Sequence, residues 1–260
     1  LAAIIVAMAR PRTVDESTKI KTTKGIDIVI AVDVSASMLA RDLKPNRLEA
    51  LKTVAARFIN NRPNDRIGLV EYAGESYTKT PLTSDKGIVL SALKTIEYNT
   101  IIEGGTAIGM GLATAVNRLK ESTAKSKIII LMTDGENNSG FIDPKIASEL
   151  AVEFGIKVYT IGLGSKGMAL SPIGIRPDGS FQYGMQQVNI DEELLKEIAT
   201  ATEGQYFRAT STTKLNEIYE EINKLEKTDI EELKYKSYDE KYRPLVILAL
   251  LLLGLEWLLR

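Results

Sequence analysis

Three short segments of the chain carry hydroxyl and carboxylate side chains at a spacing that could hold a metal ion. The first is Asp33-Val34-Ser35-Ala36-Ser37, which places three oxygen-bearing side chains in five residues. Thr106 follows a pair of glycines, and Asp134 precedes another glycine. Hydroxyl and carboxylate oxygens are the ligands that hard divalent cations prefer. The residue types therefore indicate a site for an oxygen-coordinated ion.

The composition narrows the chemistry further. The 260 residues include no histidine and no cysteine, and the net charge is -1. These facts exclude disulfides, Ser-His-Asp or Cys-His catalysis, and histidine-ligated zinc or iron. They also give no electrostatic reason to expect nucleic-acid binding. Any metal must be held by oxygen, which favours Mg²⁺, with Mn²⁺ or Ca²⁺ as alternatives.

Apolar strands and amphipathic helices must position these segments. The β-branched run Ile26–Val32 predicts a buried strand before Asp33, and Lys127–Met132 predicts another before Asp134. Further strands are expected over residues 66–72, 76–80, 157–161 and 205–208, and helices over 47–60, 84–96, 106–120, 144–155, 191–200 and 212–226. This alternation indicates an α/β fold with a doubly wound, mostly parallel sheet flanked by helices on both faces. Ligands of such sheets bind at the carboxyl ends of the strands.

The order Asp-x-Ser-x-Ser, Gly-Gly-Thr and Asp-Gly resembles the metal-ion-dependent adhesion site (MIDAS) of von Willebrand factor A (VWA) and integrin I domains. The resemblance runs from about Lys24 to Lys224 and defines a VWA domain over residues 24–225. It implies that Ser35 and Ser37 bind Mg²⁺ directly and that Thr106 does so in a high-affinity state. Asp33 and Asp134 would act largely through waters. A partner's Asp or Glu carboxylate would complete the shell, which implies protein binding rather than catalysis.

Other motifs are less favoured. Gly162–Gly167 matches G-x-G-x-x-G after a strand, but a dinucleotide site needs a helix directly after it. Phosphoaspartyl phosphatases carry Asp-x-Asp where this chain has Ser35 in the second acidic position. The nucleophile elbow G-x-S-x-G is absent from the sequence. A metal-assisted hydrolase at the same site stays as the alternative, with Glu136 as its candidate general base.

Regions outside the alternating pattern complete the expected organisation. The Gly- and Pro-bearing segment 165–188 contains Pro177-Asp178-Gly179-Ser180 and predicts an inserted β-hairpin. Residues 226–243 form a charged connector that is expected to run from the domain back to the membrane. Both ends are apolar, and the C-terminal one is apolar all round the helix. We expect residues 1–10 to be the end of one transmembrane helix and residues 244–260 the start of another, with the chain cut inside both.

The terminal motifs extend the resemblance. Arg10-Pro11-Arg12, Asp42 after the Asp33–Met38 run, and Leu255-Glu256-Trp257 are similar to the BatA proteins of the Bacteroides aerotolerance operon. BatB relatives share this layout and are the second choice. The resemblance implies an anchor in the bacterial inner membrane and a periplasmic VWA domain. The partners that it implies are other Bat or VWA proteins, tetratricopeptide-repeat proteins and a MoxR-type AAA+ ATPase system. The basic residues beside the apolar ends would by themselves place the domain in the cytoplasm.

Overall fold

The computed structural model describes residues 12–20, 25–98, 104–226, 232–240 and 242–259. The chain divides into two compact units. One runs from Lys24 to Thr228, and the other combines Leu1–Thr23 with Asp229–Arg260. The first unit contains all the residues of the candidate metal site.

A six-stranded sheet forms the centre of the larger unit. Its strands, in spatial order, are β4 (Ser76–Thr83), β3 (Arg66–Tyr72), β2 (Asp27–Asp33), β5 (Lys127–Thr133), β6 (Lys157–Leu163) and β9 (Tyr206–Ala209). Only the β3–β4 pair is antiparallel within this sheet. Strand β2 lies between β3 and β5, so Asp33 at the end of β2 and Asp134 just after β5 reach the same edge. The predicted fold class is confirmed.

Six helices cover the two faces of the sheet. They are α1 (Arg47–Asn60), α2 (Lys86–Lys94), α3 (Ile108–Leu119), α4 (Pro144–Glu153), α5 (Glu192–Ala201) and α6 (Thr212–Leu225). Alternate residues of β2 point to opposite faces, because side chains alternate along a strand. Ile28 and Ile30 join the core with α1, α2 and α6, while Val29 and Ala31 join the core with α3, α4 and α5. Both clusters consist of buried apolar side chains, so the central strands are packed on both faces and support the loops that follow them.

Several predicted boundaries were wrong by one to three residues, and three of these differences have a clear structural reason. Helix α2 begins at Lys86 rather than at residue 84, because the carboxylate of Asp85 caps it by accepting the N–H of Ile88 at 3.2 Å. Strand β4 continues past Pro81 to Thr83, because an edge strand tolerates a residue that cannot donate a hydrogen bond. Helix α3 begins at Ile108 rather than Thr106, whose N–H is taken by an asparagine side chain from another loop.

The segment between β6 and α5 forms the predicted hairpin. Its strands are β7 (Met168–Ile175) and β8 (Phe181–Gln187), which pair antiparallel as a separate two-stranded sheet. The turn between them contains Gly179 with a φ of 82°, a conformation that glycine adopts without strain. Most side chains of the hairpin are exposed or half-buried, although Ala169 and Ser171 are buried.

The second unit contains a strand pair that the sequence did not predict. Strand β1 (Arg12–Ile20) pairs antiparallel with β10 (Glu232–Glu240), and helix α7 (Tyr242–Leu258) follows. The charged connector predicted over residues 226–243 therefore includes a strand. Its partner lies more than 200 residues earlier, so no local pattern reveals the pairing. The helix predicted over residues 1–10 lies outside the described residues. Within the described ranges, no helix combines the length and the apolarity needed to cross a membrane.

Candidate metal centre

Asp33, the last residue of β2, is fully buried at the edge of the sheet. One carboxylate oxygen accepts the N–H of Ser35 at 2.8 Å, and the other accepts the hydroxyl of Thr133 at 2.7 Å. After Asp33 the chain turns into a short 3₁₀ helix, Ala36–Leu39. This turn brings the hydroxyl oxygens of Ser35 and Ser37 to 3.0 Å from each other. Alternate residues of one loop thus present their oxygens together.

Asp134 joins this group from the end of β5. Its Oδ1 accepts the hydroxyl of Ser37 at 2.7 Å, and its Oδ2 accepts Nη1 of Arg47 at 2.6 Å. The side chain of Asp134 has no exposed surface. Because β2 and β5 are adjacent parallel strands, residues that are about 100 positions apart in sequence meet at one edge.

Thr106 closes the group from the loop before α3. It is buried, and its hydroxyl lies close to Gly135, where a Cβ would stand 3.5 Å from Oγ1. Gly105 has a φ of 106°, and a Cβ there would lie 1.9 Å from the hydroxyl of Ser139. A side chain at position 105 would therefore displace the loop. The structure brings all five predicted residues to one edge of the sheet.

Several residues that sequence reasoning did not assign to the site support it. Oδ1 of Asn138 accepts the N–H of Thr106, and Oδ1 of Asn137 accepts the N–H of Ile108, both at 2.8 Å. These bonds fix the Thr106 loop against the loop after β5. Thr133 and Arg47 bond the two site carboxylates. Asn137 and Asn138 could have been found from the sequence, because they follow Asp134-Gly135-Glu136 in the same loop. No spacing in the sequence indicated that Arg47 would contact the site.

The two buried carboxylates repel each other. Burial and, after it, the charge of Asp134 raise the pKa of Asp33 to about 7, while hydrogen bonds from Ser35 and Thr133 oppose the shift. Burial likewise raises the pKa of Asp134, although Arg47 opposes the shift. Burial also acts on Asp42, but hydrogen bonds from Arg47 and Ser165 outweigh it and lower the pKa of that carboxyl to about 2. A nearby divalent cation would relieve the repulsion at Asp33 and Asp134.

The donor set fits a hard cation. Among the residues that the structure describes, no three or more Asp, Glu, His or Cys side chains come together as a metal-binding group. A cation at this edge would therefore depend on two carboxylates and three hydroxyls. Such an all-oxygen set suits Mg²⁺, Mn²⁺ or Ca²⁺ better than softer ions.

The structure around Gly162–Gly167 and around Glu136 bears on the dinucleotide-binding and hydrolase alternatives. The segment Gly162–Gly167 leads into strand β7, so the helix that a dinucleotide site requires does not follow it. Glu136 borders a cavity of about 320 Å³ between the base of the hairpin and α5. Lys166 and Arg208 also line this cavity, so both signs of charge meet there.

Comparison with known proteins agrees with this geometry. The family model of the von Willebrand factor type A domain matches residues 27–221. The crystal structure of the conserved hypothetical protein BatB from Bacteroides thetaiotaomicron has a TM-score of 0.67 and 32% identity, over 78% of this chain and 100% of that one. An aerotolerance-related membrane protein from Bacteroides fragilis, with multiple mutations to serines, has a TM-score of 0.65 and 30% identity, over 77% and 98%.

A more distant structure carries a metal. Proximal thread matrix protein 1 of the mussel byssus, with a zinc-occupied MIDAS motif, has a TM-score of 0.61 and 24% identity, over 81% of this chain and 48% of that one. This likeness shows the fold alone. The predicted resemblance to VWA and Bat proteins, including BatB as the second choice, is confirmed. The chain belongs to the von Willebrand factor type A domain family, whose members are typically metal-dependent protein-interaction modules.

Proposed function

We propose that the domain binds one divalent cation, Mg²⁺ in the first instance, and uses it to bind an acidic residue of a partner protein. The observation that carries this proposal is the pair of buried carboxylates, Asp33 and Asp134, beside three hydroxyls at one sheet edge. Of these two carboxylates, Arg47 forms an ion pair with Asp134 and not with Asp33. Within the described ranges, no cationic side chain forms an ion pair with Asp33. A bound cation would supply that missing charge.

The same residues explain why the ion would need a partner. Ser35, Ser37 and Thr106 offer neutral oxygens, which leave the charge of a dication largely in place. Asp33 and Asp134 already accept hydrogen bonds on both of their oxygens. An ion held mainly by hydroxyls attracts an anionic ligand, because charge-assisted bonds are stronger where water is partly excluded. A carboxylate is the anionic group that protein surfaces offer.

We also propose where the domain acts. Helix α7 is apolar, and its side chains Ile247, Leu250 and Trp257 are more than half exposed. One relative is described as an aerotolerance-related membrane protein. These observations support anchoring in a membrane, and we propose that it is a bacterial inner membrane with the domain in the periplasm. The partners that we propose are Bat or other VWA proteins, tetratricopeptide-repeat proteins and a MoxR-type ATPase system linked to aerotolerance.

Calorimetry on the full chain in detergent micelles tests the metal site. Wild-type protein is expected to bind one Mg²⁺ or Mn²⁺ ion, and Thr106→Ala is expected to bind it more weakly because a hydroxyl ligand is lost. Thr83→Ala, at the end of edge strand β4, is the control and should bind as wild type. Absence of divalent-ion binding by wild type at millimolar concentration would contradict the proposal.

Capture of partners tests the use of the ion. Detergent extracts of native membranes are passed over wild-type protein, Ser35→Asp and Thr106→Ala, each in Mg²⁺ and in EDTA. Ser35→Asp adds a negative ligand, which should weaken the pull on a partner's carboxylate even if the ion binds more tightly. Partner capture is expected to require Mg²⁺ and to fall in both variants. A partner retained equally in EDTA would mean that a different surface binds it.

A further inference from the structure

The guanidinium group of Arg47 is buried between two carboxylates. Nη1 donates to Asp134 Oδ2 at 2.6 Å, while Nε and Nη2 donate to the two oxygens of Asp42 at 2.8 and 2.7 Å. The exposed fraction of the Arg47 side chain is 3%, and those of Asp42 and Asp134 are 6% and 0%. We call the three groups the ion triad. It connects the metal centre to the loop before α1.

Helix stability does not explain a cation at this position. Arg47 is the first residue of α1, where a positive charge faces the positive end of the helix dipole and is unfavourable. Asn46 already caps the helix, since its side chain accepts the N–H of Glu49 at 2.8 Å. The two carboxylates therefore account for the position of Arg47. An arginine fork suits this role because it remains charged and bonds two groups in fixed directions.

The triad fixes the way in which Asp134 meets the metal centre. Arg47 occupies Oδ2, and the hydroxyl of Ser37 occupies Oδ1. Each carboxylate oxygen keeps a second lone pair, but the two bonds fix the orientation of Asp134, so turning Oδ2 toward an ion would strain or break its bond to Arg47. The guanidinium group also neutralises part of the charge that the carboxylate would otherwise offer to the ion.

We propose that Arg47 is a positioning residue that keeps Asp134 from bonding the ion directly, so that the ion is bound less tightly but remains more attractive to a partner's carboxylate. This inference rests on the proposed function, because it assumes that a divalent ion occupies the centre. Replacement of Arg47 is expected to change metal binding and partner binding in opposite directions. Removing Arg47 should strengthen metal binding and weaken partner capture, whereas a merely structural arginine would weaken both when removed.

The triad also reaches the inserted hairpin. Asp42 Oδ2 accepts the N–H of Ser165 at 2.7 Å, just before strand β7. Gly164 packs against Arg47, since a Cβ there would lie 2.7 Å from Nη2. Hydrogen exchange at the Ser165 amide therefore reports on the triad without reference to any metal. We expect faster exchange at this amide when Asp42 or Arg47 is replaced.

The test measures Mg²⁺ affinity by calorimetry on the full chain, together with the melting temperature in EDTA. Asp42→Asn with Arg47→Met removes one charge of each sign, so that the buried net charge is unchanged. Arg62→Met with Asp65→Asn is the matched control, because it removes a buried pair at 2.9 Å that is not part of the metal centre. We expect Mg²⁺ affinity to rise roughly tenfold in the triad variant, with partner capture reduced. The control should melt earlier with unchanged Mg²⁺ affinity.

Asp134→Asn in both backgrounds supplies the second measurement. If Arg47 restrains Asp134, this substitution costs more Mg²⁺ affinity in the triad variant than in wild type. Equal costs, or a triad variant that folds and binds Mg²⁺ no more tightly than wild type, would overturn the inference. A wild type that binds no divalent ion would instead overturn the proposed function.

Arg47→Lys keeps the test decisive if the double variant does not fold. Lysine retains a buried cation but cannot bond Asp42 and Asp134 with a planar fork, so the carboxylate of Asp134 can reorient more easily. We expect Mg²⁺ affinity to rise by roughly threefold and exchange at Ser165 to quicken. Unchanged or lower affinity in folded Arg47→Lys protein would also contradict the inference.

Discussion

Strand β2 carries a buried aspartate at each end, and the two ends differ in what surrounds the charge. Asp27 and Asp33 are 1% and 0% exposed. Asp27 receives both arms of the Arg66 fork, with Nε at 2.8 Å from Oδ1, and the hydroxyl of Ser122. Asp33 receives only an N–H and a hydroxyl. One end of the strand thus carries its own counter-charge, while the other does not.

The sheet register explains this difference. Arg66 is the residue of β3 that lies directly opposite Asp27, so pairing of the strands places the cation there. Tyr72 lies opposite Asp33, and its hydroxyl donates to the carbonyl oxygen of Met132 rather than to the carboxylate. The charge of Asp27 is therefore balanced within the folded protein, whereas the charge of Asp33 is not balanced and can be neutralised by an ion from solution.

The largest expected effect is a difference in Mg²⁺ affinity between variants of these two aspartates. Asp33→Asn should lower Mg²⁺ affinity by roughly 100-fold or more, because the site loses the charge that attracts the ion. Asp27→Asn should leave Mg²⁺ affinity unchanged, since it lies at the opposite end of the same strand. Calorimetry on both variants provides the measurement. Equal losses would mean that a general disturbance of β2, and not the charge at Asp33, controls binding.

The second effect is a dependence on pH in EDTA. The pKa of Asp33 is raised to about 7, from about 3.9 in an unfolded chain. The folded state then binds more protons than the unfolded state between these values, so wild type loses stability as pH rises from about 4 to 7. Each unit of difference corresponds to about 1.4 kcal/mol. Asp33→Asn should lack this loss and be more stable than wild type at pH 8.

Denaturant unfolding at pH 4, 6 and 8 checks this sign. At pH 4 and below, wild type and Asp33→Asn should differ little, because Asp33 is protonated in the folded state. If wild type gains stability relative to Asp33→Asn between pH 4 and 7, the carboxylate is compensated in some way that the contacts do not reveal.

The third effect removes the counter-charge from Asp27. Arg66→Met keeps the aliphatic stem but leaves a buried carboxylate without its cation, as at Asp33. Arg66 is 47% exposed, so solvent reduces the cost, and we expect a loss of about 1–2 kcal/mol in unfolding free energy. Arg176→Met in the exposed hairpin turn is the control. A loss no greater than that of the control would show that the pair contributes nothing to the fold.

The sequence predicted the metal-site end of β2, because the residues there follow a local pattern. Asp33, Ser35 and Ser37 lie within five residues and directly follow the apolar run Ile28–Val32, so the residue types and their position at a strand end were both predictable. The partners of Asp27 were not readable, because they depend on the register between strands. The same holds for Arg47, whose bond to Asp134 spans 87 positions. The β1–β10 pair was missed for this reason as well.

The smallest effect concerns the hydroxyl that Asp33 does receive. Thr133→Val is nearly isosteric and removes the donor to Asp33 Oδ2, with an expected cost of about 1 kcal/mol in unfolding free energy. Thr160→Val on the neighbouring strand is the matched control. Thr160 is equally buried, and its hydroxyl donates to the carbonyl oxygen of Leu195 at 2.9 Å, so a similar cost is expected.

The two threonine variants should differ in metal binding. Thr133 orients the carboxylate that is proposed to attract the ion, so its loss should weaken Mg²⁺ binding by a few-fold. This is less than the tenfold or more that is typically lost when a residue bonded to a metal ligand is replaced. Among the described residues, the Thr160 side chain forms no hydrogen bond with a site residue, and its variant should bind Mg²⁺ as wild type does. Melting curves in EDTA and calorimetry with Mg²⁺ on the same preparations separate the two quantities. A Thr160→Val protein with the same loss of Mg²⁺ affinity would show that binding follows the stability of the sheet, and the special status of Asp33 would then have to be abandoned.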